Sequence, residues 1–99
     1  MIFDWFDARA ARECGAGLAQ AFVARVPTGV EVGERKFESR AKAAITQLQR
    51  DAAEFARGHK LNAYKKAALG NAFKWGLKDA GYPNAYADKL TDLLLLQLQ

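Results

Sequence analysis

The chain has 99 residues and a net charge of +4, and a chain of this length supports one hydrophobic core, so we expect a single domain over residues 1–99. Alanine is abundant and β-branched residues are few, a balance that favours helices over strands. Cys14 is the only cysteine, which excludes an internal disulfide and a thiolate zinc site.

Two features of the sequence bear on cellular location. Acidic residues Asp4 and Asp7 lie where a secretion signal would be basic, and no apolar run approaches the ~20 residues that cross a bilayer. We therefore expect a protein of a reducing compartment, most simply the cytoplasm, with no transmembrane segment.

The first helix is predicted to begin at Asp4 or Asp7, since either side chain can cap free backbone N–H groups. It should end at Val26, because Pro27 disfavours the helical conformation of the residue before it. The positions expected to face the core are Ala8, Ala11, Cys14, Gly15, Leu18, Ala19, Phe22 and Val26.

The second helix is predicted from about Glu34 to Arg57, with Gly58 as its C-terminal cap. Its apolar residues fall within about 120° of the helix circumference, the clearest amphipathic pattern in the chain. They are Phe37, Ala41, Ala44, Ile45, Leu48, Ala52 and Phe55.

The third helix is predicted to begin at Leu61 or Asn62 and to end near Ala80, with Gly81 as its cap. Its core-facing side is expected to be Leu61, Tyr64, Ala68, Ala72, Trp75 and Gly76, widened on one flank by Leu69, Phe73 and Leu77.

Two of these helices carry small residues at every fourth position, on sides expected to face inward. The six positions are Ala11, Gly15 and Ala19 in the first helix, and Ala68, Ala72 and Gly76 in the third. Glycine inside a helix costs ~1 kcal/mol relative to alanine. Close helix–helix packing is therefore the expected reason for the glycines.

The last helix is predicted to begin at Pro83 or Asn84 and to reach the C-terminus. Its apolar residues cover about 200° of the circumference, more than the stripe of ~100° that packing on one core requires. Leu90, Leu93 and Leu94 are expected to face the core, with Leu95 and Leu98 on a flank about 100° away.

Short connections of about two to four residues at Gly58-His59-Lys60 and Gly81-Tyr82-Pro83 favour antiparallel packing of sequential helices. The predicted fold is therefore all-α, a four-helix antiparallel bundle. The surplus of leucine surface, together with the N-terminal aromatic residues, predicts self-association, a homodimer first. The residues expected at that interface are Trp5, Phe6, Leu95, Leu96 and Leu98.

An alternative function follows from the charge distribution. From Phe55 to Lys78 the chain has no acidic residue, and its basic residues there are Arg57, Lys60, Lys65, Lys66, Lys74 and Lys78. Such a segment can bind nucleic acid or another anion, such as an anionic lipid surface or a protein of acidic character. Its lysines are scattered around the third helix, and only one of the six residues is arginine, which favours the interaction module over this alternative.

The sequence offers no specific sign of catalysis, of a metal site or of a cofactor. His59 lies in a turn without a neighbouring carboxylate, and Cys14 is expected to be a small buried apolar residue. Asp88 and Asp92 are one turn apart, but Lys89 beside them argues against a cation site. We therefore predict an interaction module that is not an enzyme. An enzyme whose site forms between subunits is a third hypothesis.

Overall fold

The computed structural model describes residues 7–26 and 34–98. These residues form four helices, which confirms the all-α four-helix fold: α1 (Arg9–Arg25), α2 (Glu34–Gly58), α3 (Ala63–Asp79) and α4 (Asn84–Leu96). Within the described ranges there is no strand. Each boundary falls within a few residues of the position that caps and prolines predict.

Asp7 forms hydrogen bonds with the first residue of α1. Its carboxylate accepts a hydrogen bond from the backbone N–H of Arg9 at 3.3 Å and pairs with the Arg9 guanidinium at 3.0 Å. These bonds favour the charged carboxylate and lower the pKa of Asp7 to about 2. Asp7 thus accepts one free N–H at the start of α1 as expected, although Ala8 is the residue at the N-cap position. Asp4 and Pro27 lie outside the described residues.

The turn between α3 and α4 is built on Gly81, which has a φ of 102°. The N–H of Gly81 donates to the Lys78 carbonyl at 3.0 Å, and the N–H of Tyr82 donates to the Leu77 carbonyl at 3.1 Å. This pair of bonds is the Schellman motif, in which glycine readily adopts the left-handed conformation. Gly58 differs from the prediction, because it is the last residue of α2 and lacks a positive φ.

The most extensive helix contact joins α1 to α3, which are not consecutive in the chain. Arg12 contacts Tyr64 at one end of this contact, and Ala19 meets Gly76 towards the other. Residue numbers rise together along both helices, so α1 and α3 run parallel. The two series of small residues meet each other here, which confirms the predicted close contact.

α3 also packs against α4, while α2 packs against α1 and α4. Gly70 of α3 lies beside Leu95, and Lys78 lies beside Asp88, so α3 and α4 are antiparallel as predicted. The prediction that α2 and α3 are neighbours is wrong, since their backbones make no close approach within the described residues. α3 instead packs against α1 and α4, and α2 lies against those same two helices.

The buried side of α3 is centred on Leu69, Phe73 and Leu77, none of which is exposed. The expected centre, near Tyr64 and Trp75, is wrong, because Trp75 is 59% exposed. The small residues that face α1 mark only one edge of the buried surface. α4 covers the opposite edge, so the middle of the buried surface lies on the residues between them.

Three aromatic rings close the end of the bundle at the C-terminus of α1. Phe22 and Tyr82 have centroids 5.8 Å apart, and Tyr86 stacks on Tyr82 at 5.5 Å. The Tyr82 hydroxyl donates a hydrogen bond to the Val26 carbonyl. Tyr82 therefore links the α3–α4 turn to Val26, the residue that directly follows α1.

Candidate interaction surfaces

The leucines of α4 and of the turn that follows it are mostly covered, and the helices that pack against α4 are α2 and α3. Leu90, Leu94 and Leu98 are 1%, 0% and 3% exposed, and Leu95 is partly buried against the core. The placement of Leu98 on an exposed flank is therefore wrong. It follows Leu94 by four residues, about one helical turn, and so lies on the same side.

One residue of the predicted leucine interface remains exposed. Leu96 is 61% exposed, on the side of α4 opposite Leu94. Trp5 and Phe6, the other two residues assigned to self-association, lie outside the described residues. Among the described residues, Leu96 is therefore the only leucine that is exposed enough to support the predicted leucine interface.

A second exposed apolar surface lies on the outer side of the α1–α3 contact. Tyr64 and Trp75 are 38% and 59% exposed. Between and beyond them, two shallow cavities of about 310 and 450 Å³ follow the contact. Alanine is the most frequent residue among those that line the two cavities. We call this surface the α1–α3 groove.

The charged residues of the α1–α3 groove lie at its two ends. Arg12 lines it at the Tyr64 end, where its guanidinium donates to the Tyr64 hydroxyl at 3.4 Å. Asp79 lines it at the other end. The intervening wall contains small residues, with Asn71 and Gln20 as its uncharged polar members.

The six basic residues do not form one surface. Lys74 and Lys78 lie together near the α3–α4 turn, with their amino groups 3.4 and 3.8 Å from the Asp88 carboxylate. Lys78 also lies over the Trp75 ring at 5.2 Å from its centroid. These two lysines are therefore engaged by α4 and by an aromatic face.

The other basic residues lie at the opposite end of the bundle. Arg57 and Lys66 line a cavity of about 430 Å³ together with His59. Lys60 is exposed beside it, and Lys65 contributes to lowering the pKa of Asp7. We call this space the end cavity, since it lies where α2 and α4 end and α3 begins.

Walls of the end cavity come from three helices and one connection. Its other lining residues are Ala53, Ala56, Leu61, Gln97 and Leu98. No acidic side chain is among the residues that line it. The basic residues divide into a group near the α3–α4 turn and a group at the end cavity. Counting charges along the chain does not reveal this division, because both groups include residues of α3. Lys66 and Lys74 are eight residues apart, about 12 Å along α3.

Cys14 is partly buried between α1 and α2. Burial, and then the negative charge of Asp51, raise the pKa of its thiol to about 11. A thiol with such a pKa stays neutral near pH 7 and is a poor nucleophile. The structure agrees with the expected role of Cys14 as a small apolar residue. No group of His, Cys, Asp and Glu suited to a metal ion occurs in the described ranges.

No described helix combines the length and apolar character needed to span a membrane. Comparison with family models, with curated proteins and with solved structures finds no match to this chain in any of the three.

Proposed function

We propose that the protein is a small helical interaction module, without catalytic activity of its own, that self-associates as a homodimer through the α1–α3 groove. The observation that carries the proposal is the exposure of Tyr64 and Trp75 on this alanine-lined surface. Large aromatic side chains on an apolar surface are typical of protein interfaces. The single unpaired Cys14 supports action in the cytoplasm, a reducing compartment.

The shape of the groove suits another helical surface. Alanines such as Ala16, Ala67 and Ala72 leave its floor low, so a second pair of helices can approach closely. Alanine also loses no side-chain rotamer freedom on association. The aromatic rings then supply most of the apolar area that the partner would bury.

The charges at the ends of the groove favour a second copy as the partner. In a dimer whose two-fold axis is perpendicular to the groove, each end of the groove lies against the opposite end of its mate. This is the arrangement that the charges favour, since an axis along the groove would bring like charges together. Arg12 of one protomer would then lie near Asp79 of the other, at both ends of the interface. The α1–α3 groove thus has a charge pattern that complements itself.

The first experiment measures molecular mass in solution by sedimentation equilibrium, at low and high salt. We expect a dimer at both, since apolar burial is not screened by salt. Trp75→Lys should shift the protein to monomer without loss of helical content. Leu96→Lys is the matched control, because Leu96 is exposed to a similar degree but lies on α4.

Two outcomes would overturn the proposed interface. A wild-type protein that is monomeric at high concentration would exclude self-association. A dimer that dissociates in Leu96→Lys but persists in Trp75→Lys would assign the interface to the leucine helix instead.

A charge exchange tests the two-fold arrangement itself. Arg12→Asp and Asp79→Arg should each weaken the dimer, because each places like charges at both ends of the interface. The double variant should recover much of the wild-type affinity. An equal loss in the double variant would show that the two ends do not meet.

A further inference from the structure

We propose that the end cavity is a binding site for a small phosphate monoester, with the phosphate held by Arg57 and Lys66 and oriented by His59. The proposal is independent of self-association, because the cavity lies away from the α1–α3 groove and shares no lining residue with it.

The charge of the cavity favours a dianion. Arg57 and Lys66 bring two positive charges to one space that no acidic side chain lines. Neither forms an ion pair with another described residue, in contrast to Lys74 and Lys78 with Asp88. An arginine fork binds two phosphate oxygens at once, and a lysine amino group adds a third donor.

Backbone dipoles contribute little to this preference. The C-termini of α2 and α4 carry partial negative charge, and the N-terminus of α3 carries partial positive charge. Because all three ends meet at the cavity, their effects partly cancel. The side chains therefore decide the sign of the potential.

His59 is held in a defined orientation. Its ring stacks on Phe55, with centroids 4.0 Å apart, and its Nδ1 lies 3.0 Å from the Phe55 carbonyl oxygen. A carbonyl oxygen only accepts, so Nδ1 carries the hydrogen in this bond. Nε2 is consequently the ring nitrogen left to meet a ligand.

The size and the walls of the cavity call for more than a bare phosphate ion. It is an open surface cleft, and its volume of about 430 Å³ leaves room for a small organic group beside the phosphate. Ala53, Ala56 and Leu61 form apolar walls. A phosphate ester with a compact apolar group would place its charge on Arg57 and Lys66 and its organic part on these walls.

The decisive experiment titrates the wild-type protein with phenyl phosphate and with inorganic phosphate, by calorimetry and by amide NMR. We expect saturable binding of both, with phenyl phosphate tighter because its ring covers apolar wall. The shifted amides should be those of residues 55–66 and 97–98. No saturable binding at millimolar concentration, or shifts centred on Lys74 and Lys78, would overturn the proposal.

Variants provide the second arm. Arg57→Gln and Lys66→Gln should each weaken phenyl phosphate binding about tenfold or more, as expected for loss of a charged hydrogen bond. Lys65→Gln is the matched control, since it removes the same charge from the residue next to Lys66 but Lys65 does not line the cavity. Equal weakening in Lys65→Gln would indicate general attraction to a positive protein and overturn the site. Amide mapping on the wild type decides the matter if a variant fails to fold.

Discussion

Gly15 lies where α1 and α3 approach most closely. A Cβ atom added there would meet the backbone carbonyl oxygen of Leu69, and one added at Gly76 would lie 2.6 Å from the Ala19 Cβ. Backbone atoms cannot move aside as a flexible side chain can. The absence of a side chain at Gly15 is therefore required by the parallel packing of the two helices.

We expect Gly15→Ala to destabilise the protein by about 1–3 kcal/mol through overpacking. Gly17→Ala is the control, because nothing lies within 4 Å of an added Cβ there. That exposed helical position should gain about 0.5–1 kcal/mol from the better helix former. Urea unfolding followed by circular dichroism measures both, and equal stabilities for the two variants would contradict the α1–α3 contact.

Tyr82 predicts how stability changes at alkaline pH. Burial, and then Tyr86, raise its pKa from 10.0 to about 12, so the fold favours the protonated phenol. Its contribution to stability is complete below pH 10 and is lost as the pH rises towards 12. The free energy of unfolding should therefore fall over this interval.

Tyr82→Phe tests that assignment. It removes the hydrogen bond to the Val26 carbonyl and should cost about 1–3 kcal/mol at neutral pH, since a buried acceptor loses its partner. It should also reduce the loss of stability above pH 10, leaving the smaller share that the raised pKa of Tyr86 contributes. An unchanged pH profile in urea unfolding would show that Tyr82 is not the titrating group.

At the scale of the element, α4 separates buried from exposed leucines within three residues of sequence. Leu94 is fully buried and Leu96 is 61% exposed. Leu94→Lys should abolish cooperative folding, because a charge without a partner in the core is very costly. Leu96→Lys should change stability by less than about 0.5 kcal/mol. Thermal unfolding followed by circular dichroism distinguishes them, and a comparable loss in both would mean that Leu96 belongs to the core.

At the scale of the whole molecule, the buried residues of all four helices form one cluster, so we expect each protomer to unfold in one step. If the protein dimerises, its Tm rises with protein concentration, because association stabilises the folded state. Trp75→Lys should remove that dependence while retaining a single transition. A wild-type Tm that is independent of concentration would argue against the dimer.

Local sequence signals predicted the helix ends well. Asp7, Gly81 and Pro83 act through their own backbone and their immediate neighbours, so their effects are visible in a few consecutive residues. The amphipathic side of α2 was also clear, since Ala44, Leu48 and Ala52 are buried as expected. These features need no knowledge of which helices meet.

The candidate sites were harder to predict. The basic residues were identified individually, but the convergence of Arg57, His59 and Lys66 on one cavity depends on where α4 ends in space. Trp75 was assigned to the core because it follows the small residues of α3 at helical spacing. Helical periodicity identifies residues that share a side of a helix, but the position of the neighbouring helices decides whether that side is covered.

The sequence by itself determined the helical class, the approximate helix ends and the two series of small residues, because all of these depend on local spacing and local backbone chemistry. Only the tertiary structure decided that α1 lies beside α3 rather than α2 beside α3, that Leu98 is buried, and that Trp75 is exposed. Each of those outcomes depends on competition among helices for the sides of α3, and the residues that compete are distant in sequence.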